Sequence, residues 1–423
     1  MRITCYPSQL QGSIAAIPSK SSAHRALIGS ALADKPTRVV MPKWEGEDIQ
    51  ATIRCLTAVG ASFHREENAY RVVPIRELPE NPRLDCGESG STLRFLLPVV
   101  AALGCGGRFE GSGRLPDRPI APLIQALKQG GLKVDGARLP LVLKGKLNPG
   151  KYQLPGSVSS QFISGFLLAL PLLPAASSIE LSDPLESSGY VKMTAALLEE
   201  FGLPVTATAR GFFLPARSGY RSLGEVVVEG DWSNMAFFLA GGAVSGAIQC
   251  LGLSLSTCQK DTAVLGLLGR FGAAVQWQGG TIKVNSRPLA GVASINAGEI
   301  PDLIPILAVV AAYATGKTHF INAARLKLKE SDRLQTTAAL IQGLGGIADY
   351  GSDYLTVTGG SGLKGGVVNC CDDHRIAMAG AMAALGCREK TVLLGAQAVN
   401  KSYPTFFRDY HSVGGRFHVV NNR

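Results

Sequence analysis

Apolar, helix-like segments along this chain end on a repeated signal, in which a Leu, Ile or Tyr is followed four positions later by Gly. The six pairs are Leu56 and Gly60, Leu127 and Gly131, Leu198 and Gly202, Leu268 and Gly272, Ile341 and Gly345, and Tyr410 and Gly414. Successive glycines of this set lie 69 to 73 residues apart. A polar or Gly-rich patch that opens an apolar segment recurs every 70 to 72 residues and centres on Lys20, Gly90, Ser160, Trp232, Asp302 and His374. Because two markers share one period, the pattern predicts six copies of one unit.

Each predicted unit contains two helices of different character. The first follows the polar patch and is apolar on nearly every face, as in Phe162–Leu170 and Ile376–Leu385, which is typical of a helix in an interior. The second is amphipathic and ends at the periodic Gly, which we expect to adopt the left-handed conformation that a Cβ disfavours. Short runs bounded by Gly, Pro and Asn predict strands at Tyr70–Val73, Leu139–Leu143, Gly211–Leu214, Thr281–Val284 and Tyr354–Val357. The unit is therefore predicted to be of β-α-β-α-β-β type, in an α/β fold.

The two chain ends indicate how the six units are grouped. About 30 residues follow each of the first five periodic glycines before the next polar patch, but only 9 follow Gly414 and 19 precede Lys20. The N-terminal segment Met1–Ile17 is therefore predicted to supply the missing strands of the sixth unit. This grouping predicts two similar domains of three units each, formed by residues 1–18 with 230–423 and by residues 19–229. Three serial domains would leave both chain ends without partners.

Composition favours a cytoplasmic enzyme. Hydrophobic residues make up 46% of the chain, yet no uncharged apolar run reaches the ~20 residues of a membrane span, so no membrane association is expected. The N-terminal sequence MRITCYPSQLQG lacks the regions of a signal peptide. Nine cysteines without a repeated spacing indicate reduced thiols, and the absence of CxxC and HExxH motifs gives no support for a metal site.

The net charge of +10 favours anionic partners, and the positions of the cations are more specific. Basic residues recur near predicted helix starts: Lys20, Arg25, Arg94, Arg118, Lys329, Arg333, Arg375 and Lys401. A helix N-terminus already attracts anions, so a cation there is unfavourable to the helix dipole. An ordinary cation in a loop would explain one such residue, whereas the whole set favours an anion-binding cleft. Two acids, Asp302 and Glu330, lie among these cations and could be helix caps, ion-pair partners or a general base.

Eight short motifs, in order over nearly the whole chain, resemble those of the 5-enolpyruvylshikimate-3-phosphate synthase family. They are KSSAHR at Lys20–Arg25, GESGSTLR at Gly87–Arg94, RPI at Arg118–Ile120, GSVSSQF at Gly156–Phe162, IPD at Ile300–Asp302, KESDR at Lys329–Arg333, DDHRIAM at Asp372–Met378 and NKSYP at Asn400–Pro404. The resemblance implies a two-domain, inside-out α/β barrel fold of enolpyruvyl transferase type, with the active site in the cleft between the domains. It implies transfer of the enolpyruvyl group of phosphoenolpyruvate to the 5-hydroxyl of shikimate-3-phosphate in the shikimate pathway.

The same resemblance implies a role for each matching residue. The predicted contacts to shikimate-3-phosphate are Lys20, Ser21, Arg25, Ser159, Ser160, Gln161, Ser187, Asp302 and Lys329. The predicted contacts to phosphoenolpyruvate are Lys20, Gly90, Arg118, Gln161, Arg333, Arg375 and Lys401. The predicted catalytic residues are Asp302 and Glu330 as the acid–base pair, with Lys20. No metal or organic cofactor is expected, the partners are two small molecules rather than nucleic acid or membrane, and a monomer is expected.

The chain departs from the family pattern at a few positions, and rival interpretations remain. Glu88 and Phe95 stand where the family often has Asn and Pro, and Arg325 stands where some members carry a substrate-contacting Asn. UDP-N-acetylglucosamine enolpyruvyl transferase shares the donor, but its loop before Arg-Pro carries a reactive Cys, which the segment Gly111–Arg118 lacks. A nucleic-acid-binding protein would explain the charge, although aromatic residues are only 7% of the chain. A structural repeat scaffold would not need cations at apolar helix starts.

Overall fold

The computed structural model describes residues 1–42, 46–216 and 219–420. Within these residues the backbone forms twelve α-helices: α1 Lys20–Ala31, α2 Glu47–Ala58, α3 Gly90–Leu103, α4 Ala121–Gln129, α5 Ser160–Ala169, α6 Ser188–Glu200, α7 Trp232–Val244, α8 Ala263–Arg270, α9 Ile304–Tyr313, α10 Arg333–Gly343, α11 His374–Ala384 and α12 Phe406–Ser412. In the same residues, no helix is both long enough and apolar enough to span a bilayer.

The described part of the chain also forms 24 strands. They are β1 Arg2–Tyr6, β2 Ser13–Ala15, β3 Thr37–Val40, β4 Ser62–Arg65, β5 Ala69–Val73, β6 Arg83–Asp85, β7 Gly107–Glu110, β8 Lys133–Asp135, β9 Leu141–Lys144, β10 Lys151–Leu154, β11 Ser177–Leu181, β12 Thr206–Thr208, β13 Gly211–Leu214, β14 Glu225–Val227, β15 Ala247–Leu251, β16 Ala274–Gln278, β17 Thr281–Asn285, β18 Ile295–Asn296, β19 Gly316–Ile321, β20 Ile347–Tyr350, β21 Leu355–Gly359, β22 Gly366–Asn369, β23 Thr391–Leu394 and β24 Arg416–Val420.

These strands form six four-stranded sheets of one design. Their orders are β14-β3-β5-β4, β6-β7-β9-β8, β10-β11-β13-β12, β2-β15-β17-β16, β18-β19-β21-β20 and β22-β23-β1-β24. In each sheet the first strand runs parallel to the second, and the other pairs are antiparallel. The succession β6, α3, β7, α4, β8, β9 is the predicted β-α-β-α-β-β unit, which is therefore confirmed.

The N-terminal segment supplies one strand to the sixth sheet, β1, whereas its second strand, β2, joins the fourth sheet, so the prediction that the whole segment belongs to the sixth unit is correct only for β1. Strand β1 lies between β23 and β24 and pairs antiparallel with both. Strand β2 then pairs parallel with β15 of the fourth sheet, and β14 pairs parallel with β3 of the first. In each set of three sheets, one strand thus pairs with the first sheet of the set: β14 in the first sheet and β2 in the fourth.

The chain forms two compact units, one of Met1–Ile17 with Glu229–Arg423 and one of Pro18–Val228. We call them the terminal unit and the central unit. Their boundaries lie one residue before those expected from the repeat. Each unit has its own hydrophobic core, and no core residue of one belongs to the cluster of the other in the described chain.

The first helices of the repeats lie in these cores. In the terminal unit α7, α9 and α11 contact one another and are buried along almost their whole lengths. In the central unit α3 packs on α5 so closely that a Cβ on Gly165 would lie 2.2 Å from the carbonyl oxygen of Arg94. The prediction that helices apolar on every face lie in an interior is confirmed.

The six periodic glycines all have positive φ angles, from +79° to +108°. Five follow helices of the second type, which are α2, α4, α6, α8 and α10, and Gly414 follows α12. The predicted left-handed helix ends are therefore confirmed, and they explain why Gly recurs at these positions.

Replacing Gly272 with Ala should destabilise the protein by about 1–2 kcal/mol. Its φ is +101°, and a Cβ there would lie 3.1 Å from the carbonyl oxygen of Pro288. The matched control is Gly266→Ala in α8, where nothing lies within 4 Å of the added Cβ and Ala favours the helix by about 1 kcal/mol. In urea unfolding the midpoint should fall for Gly272→Ala and hold or rise for Gly266→Ala. Equal midpoints would contradict this assignment of the helix end.

Candidate active site

Arg333, at the start of α10, contacts three carboxylates in the terminal unit. Its Nε and Nη2 donate to the two oxygens of Asp373, at 2.8 and 3.2 Å. Its Nη1 donates to Asp302 Oδ1 at 2.5 Å, and Nη2 also donates to Glu330 Oε2 at 2.7 Å. The Arg333 side chain is only 1% exposed. One buried guanidinium therefore brings the two predicted acid–base residues together.

Local sequence explains why this guanidinium is placed there. Asp332 caps α10 by accepting hydrogen bonds from the backbone of Leu334 and Gln335, so the helix begins at Arg333. Glu330 lies three residues earlier and turns back onto the Arg333 side chain. Asp302 was expected to open a helix; it lies instead in a 3₁₀ turn, Pro301–Leu303, immediately before α9.

Charges around Asp302 determine its ionisation. Burial alone would raise the pKa of Asp302, but Lys329, Arg333 and Arg375 hold it well below its ordinary value. The Lys329 ammonium lies 3.5 Å from Asp302 Oδ1. Burial lowers the pKa of Lys329 to about 8, although Asp302 opposes the shift. Well below pH 8, and above the lowered pKa of Asp302, both members of the pair are therefore charged.

The two acids of the DDHR motif each hold a different cation. Asp373, which is completely buried, binds Arg333 and also caps α11 by accepting from the Arg375 backbone at 2.9 Å. Asp372 accepts from Lys401 Nζ through its carbonyl oxygen at 2.6 Å, and its carboxylate lies 3.0 Å from the same atom. The motif thus positions two of the predicted phosphoenolpyruvate contacts.

Arg375 is fixed against the start of α7. Its Nη1 donates to the carbonyl oxygen of Ser233 at 2.6 Å, and its Nη2 donates to the Ser233 hydroxyl. The guanidinium carbon lies 5.5 Å from the ring centroid of Phe237. Asp231 caps α7 by accepting from the Asn234 backbone, and this cap fixes the helix start to which Arg375 is bound.

In the central unit, Lys20 is the first residue of α1 and forms an ion pair with Asp48 of α2 at 2.7 Å. Ser19 caps α1 by accepting from the Ser22 backbone. Sequence reasoning missed Asp48, because it lies in none of the eight motifs and only the tertiary structure brings it to Lys20.

Arg25, a predicted shikimate-3-phosphate contact, binds protein groups through all three guanidinium nitrogens. It donates to Thr194 Oγ1 at 2.7 Å and to the carbonyl oxygens of Ser21 and Tyr190 at 2.6 and 2.9 Å. These bonds tie α1 to α6 and leave Arg25 2% exposed. Its contact with substrate stays a prediction, beside an evident role in holding the central unit together.

A second cluster in the central unit joins α3 to α5. Arg94 donates to Gln161 Oε1 at 2.7 Å and to the carbonyl oxygen of Pro119 at 3.1 Å, while Gln161 donates to Ser91 Oγ at 2.8 Å. A Cβ on Gly90 would lie 2.8 Å from Arg118 Nη1 and 3.0 Å from Arg94 Nη1. The predicted residues Gly90, Arg118 and Gln161 are therefore brought together. Arg94 was given no role from sequence, although it stood within a motif.

The predicted serines lie at helix starts. Ser159 caps α5 by accepting from the Gln161 backbone, and Ser160 is the buried first residue of that helix. Ser187, with a left-handed φ of +52°, precedes α6. Capping accounts for Ser159, and the substrate contacts of all three serines stay predictions.

No group of three or more His, Cys, Asp or Glu side chains could hold a metal ion in the described ranges 1–42, 46–216 and 219–420. The acids of the site are instead matched with Lys and Arg. Such an arrangement suits the binding of anions and the movement of protons.

Comparison with known proteins identifies the family. The family model described as EPSP synthase (3-phosphoshikimate 1-carboxyvinyltransferase) matches residues 5–410. The chain belongs to the EPSP synthase family. The 3-phosphoshikimate 1-carboxyvinyltransferase of Clostridium kluyveri is 38% identical over 417 residues, which cover 98% of this chain and 97% of that protein. The enzyme of the same name from Clostridioides difficile is 38% identical over 431 residues, with 98% of each chain covered.

Solved structures give the same fold at lower sequence identity. EPSP synthase from Acinetobacter baumannii superposes with a TM-score of 0.81 at 24% identity, covering 99% of this chain and all of that one. The enolpyruvyl transferase NikO from Streptomyces tendae has a TM-score of 0.77 at 17% identity, over 99% and 98% of the two chains. These likenesses confirm the predicted enolpyruvyl transferase fold. Membership of the EPSP synthase family confirms the predicted family and enzyme class and disfavours the nucleic-acid-binding and scaffold alternatives.

Activity should fall as the pH rises through about 8, because the Lys329 ammonium then loses its charge and with it an attraction for the anionic acceptor. The profile of kcat/KM for shikimate-3-phosphate reports the ionisation of the free enzyme and is the quantity to measure. In Lys329→Arg the alkaline fall should move to higher pH, whatever the height of the profile, because a guanidinium does not deprotonate in this range. An unchanged alkaline limb would show that another group sets it.

Proposed function

We propose that this EPSP synthase family member transfers the enolpyruvyl group of phosphoenolpyruvate to the 5-hydroxyl of shikimate-3-phosphate and releases phosphate, a step towards chorismate and the aromatic amino acids. The observation that carries the residue-level proposal is the contact of Arg333 with both Asp302 and Glu330. It places two carboxylates and a cation within one buried cluster, as a reaction that moves two protons between anionic reactants requires.

The proposed chemistry has two stages. First, the 5-hydroxyl oxygen bonds to C2 of phosphoenolpyruvate, its proton passes to a base, and C3 receives a proton from an acid. Then C3 loses a proton, the bond from C2 to the phosphate oxygen breaks, and phosphate leaves. We assign the proton transfers to Asp302 and Glu330 together with Lys20. No metal or organic cofactor enters this scheme.

The cationic residues offset the charge of two phosphorylated carboxylates. We assign Arg118, Arg333, Arg375 and Lys401 to phosphoenolpyruvate, with Gly90 leaving space beside Arg118. We assign Arg25, Lys329, Gln161 and the serines Ser21, Ser159, Ser160 and Ser187 to shikimate-3-phosphate, and Lys20 and Gln161 to both substrates. The assigned residues come from the central and the terminal unit, so the reaction would draw on both.

The proposed function is tested by phosphate release from phosphoenolpyruvate with each candidate acceptor offered separately. Release should require shikimate-3-phosphate. Release with UDP-N-acetylglucosamine in place of shikimate-3-phosphate would favour the sister reaction, and release with neither acceptor would reject the proposed transfer.

Asp302→Ala and Glu330→Ala should each lower kcat by roughly 10²–10⁴-fold, because each removes a group that transfers a proton in the transition state. Steady-state kinetics with both substrates varied separates this effect from binding. Glu66→Ala, which removes a carboxylate from an exposed ion pair with Arg38, is the control and should leave kcat unchanged. A site variant that keeps more than about a tenth of wild-type kcat would be a structural ion-pair partner instead.

Arg375→Ala should raise the KM for phosphoenolpyruvate strongly and change the KM for shikimate-3-phosphate little. A lost charge-assisted contact to one substrate corresponds to about 1.5–3 kcal/mol. Arg38→Ala removes an exposed cation and serves as the matched control. Near-normal kinetics for both substrates in Arg375→Ala would remove this residue from the donor site.

A further inference from the structure

The three carboxylates around Arg333 are not equivalent. Asp373 makes two hydrogen bonds to the guanidinium and is 0% exposed, so it lies on the enclosed side. Asp302 and Glu330 make one hydrogen bond each, and their side chains are 16% and 21% exposed. The accessible side of the guanidinium is therefore occupied by the two acids that the proposed chemistry needs.

The cations of this cluster are already matched by internal acids. Lys329, Arg333 and Lys401 form ion pairs with Asp302, Glu330, Asp373 and Asp372. In these ion pairs three positive charges face four negative ones. An incoming carboxylate finds no unmatched guanidinium at Arg333, so it must replace an acid that is already there.

We propose that the carboxylate of the donor substrate binds Arg333 by displacing Glu330, while Asp373 acts as the positioning residue that holds the guanidinium in place during the exchange. This inference rests on the proposed function, which assigns Arg333 to phosphoenolpyruvate.

Geometry favours Glu330 over Asp302 as the acid that leaves. Glu330 shares Nη2 with Asp373, so that nitrogen keeps a partner when Glu330 moves away. Asp302 accepts from Nη1 and is also paired with Lys329. Glu330 is the more exposed of the two, and its longer side chain can swing clear without a backbone change.

The exchange would couple donor binding to acid catalysis. In the empty site the Glu330 carboxylate accepts a hydrogen bond from Arg333 Nη2 at 2.7 Å. Once the donor carboxylate takes its position on Arg333, Glu330 loses this partner and faces a second anion. Both changes favour its protonated form, so the proton donor is prepared only when there is a donor substrate to protonate.

The test measures binding rather than turnover. The probe is phospholactate, a saturated analogue of phosphoenolpyruvate that keeps its phosphate and carboxylate, titrated calorimetrically with saturating shikimate-3-phosphate. Glu330→Gln keeps the size of the side chain and removes the competing charge, so phospholactate should bind about tenfold more tightly than to the wild type. Glu66→Gln, the same substitution in an exposed ion pair, should leave the Kd unchanged.

A second probe distinguishes exchange from a general loss of negative charge. Isopropyl phosphate has the phosphate but no carboxylate, so Glu330→Gln should improve its binding much less than that of phospholactate. Asp373→Asn should weaken the binding of phospholactate at least about tenfold and leave the binding of isopropyl phosphate nearly unchanged, because the substitution disturbs the orientation of Arg333, which binds the carboxylate. A general structural fault would weaken both probes.

The exchange is refuted if Glu330→Gln leaves phospholactate binding unchanged or weakens it, or if both probes gain equally. Because Glu330 is partly exposed, this variant decides the question even if Asp373→Asn does not fold. If the wild type releases phosphate with shikimate-3-phosphate and Glu330→Gln gives one of these contrary binding results, the exchange is refuted but the proposed function stands. A wild type that releases no phosphate refutes the proposed function itself.

Discussion

The contact of one buried guanidinium with three carboxylates is the interaction on which the terminal unit's site depends. Arg333 is 1% exposed. Burial lowers the pKa of its guanidinium, but the carboxylates of Asp373, Glu330 and Asp302 raise it by more, so the pKa lies above its ordinary value. A buried ion pair stabilises a fold only when each partner keeps its hydrogen bonds, because the loss of one partner leaves an uncompensated charge. The cluster therefore fixes the relative positions of three loops, which are those before α9, α10 and α11.

The same residues serve the fold and the site. Asp373 caps α11 and holds Arg333, while Ser331 donates to its carboxylate at 2.9 Å. In the central unit, Arg25 ties α1 to α6, and Arg94 ties α3 to α5. The first helices of the repeats are buried along almost their whole lengths, and the polar side chains assigned to the site lie at or near their N-terminal ends. The assigned chemistry is thus concentrated at helix starts.

The sequence predicted the repeat, the left-handed glycines and the pairing of the N-terminal strand, because each follows from a local periodicity. It also placed Asp302, Glu330 and Arg333 in motifs, and the structure brings these three side chains together, while their roles towards substrate stay predictions. It did not predict Asp48 beside Lys20, since an ion pair between two helices leaves no spacing to detect. Nor did it predict that Asp372 and Asp373 match Lys401 and Arg333, because charge signs along a chain do not reveal which side chains meet. The sequence also predicted that Asp302 opens a helix, whereas Asp302 lies in the 3₁₀ turn Pro301–Leu303 before α9.

The pairing of β1 with β24 has a consequence for how the protein forms during synthesis. Strand β1, Arg2–Tyr6, leaves the ribosome long before its partner Arg416–Val420. At about 5–20 residues per second, the N-terminal strand waits roughly 20–80 s for this neighbour. The central unit is contiguous and can fold as soon as β14 has emerged to pair with β3. Its completion therefore precedes that of the terminal unit, and strand β1 stays an unpaired strand-forming segment, attached to a folded body, until β23 and β24 emerge.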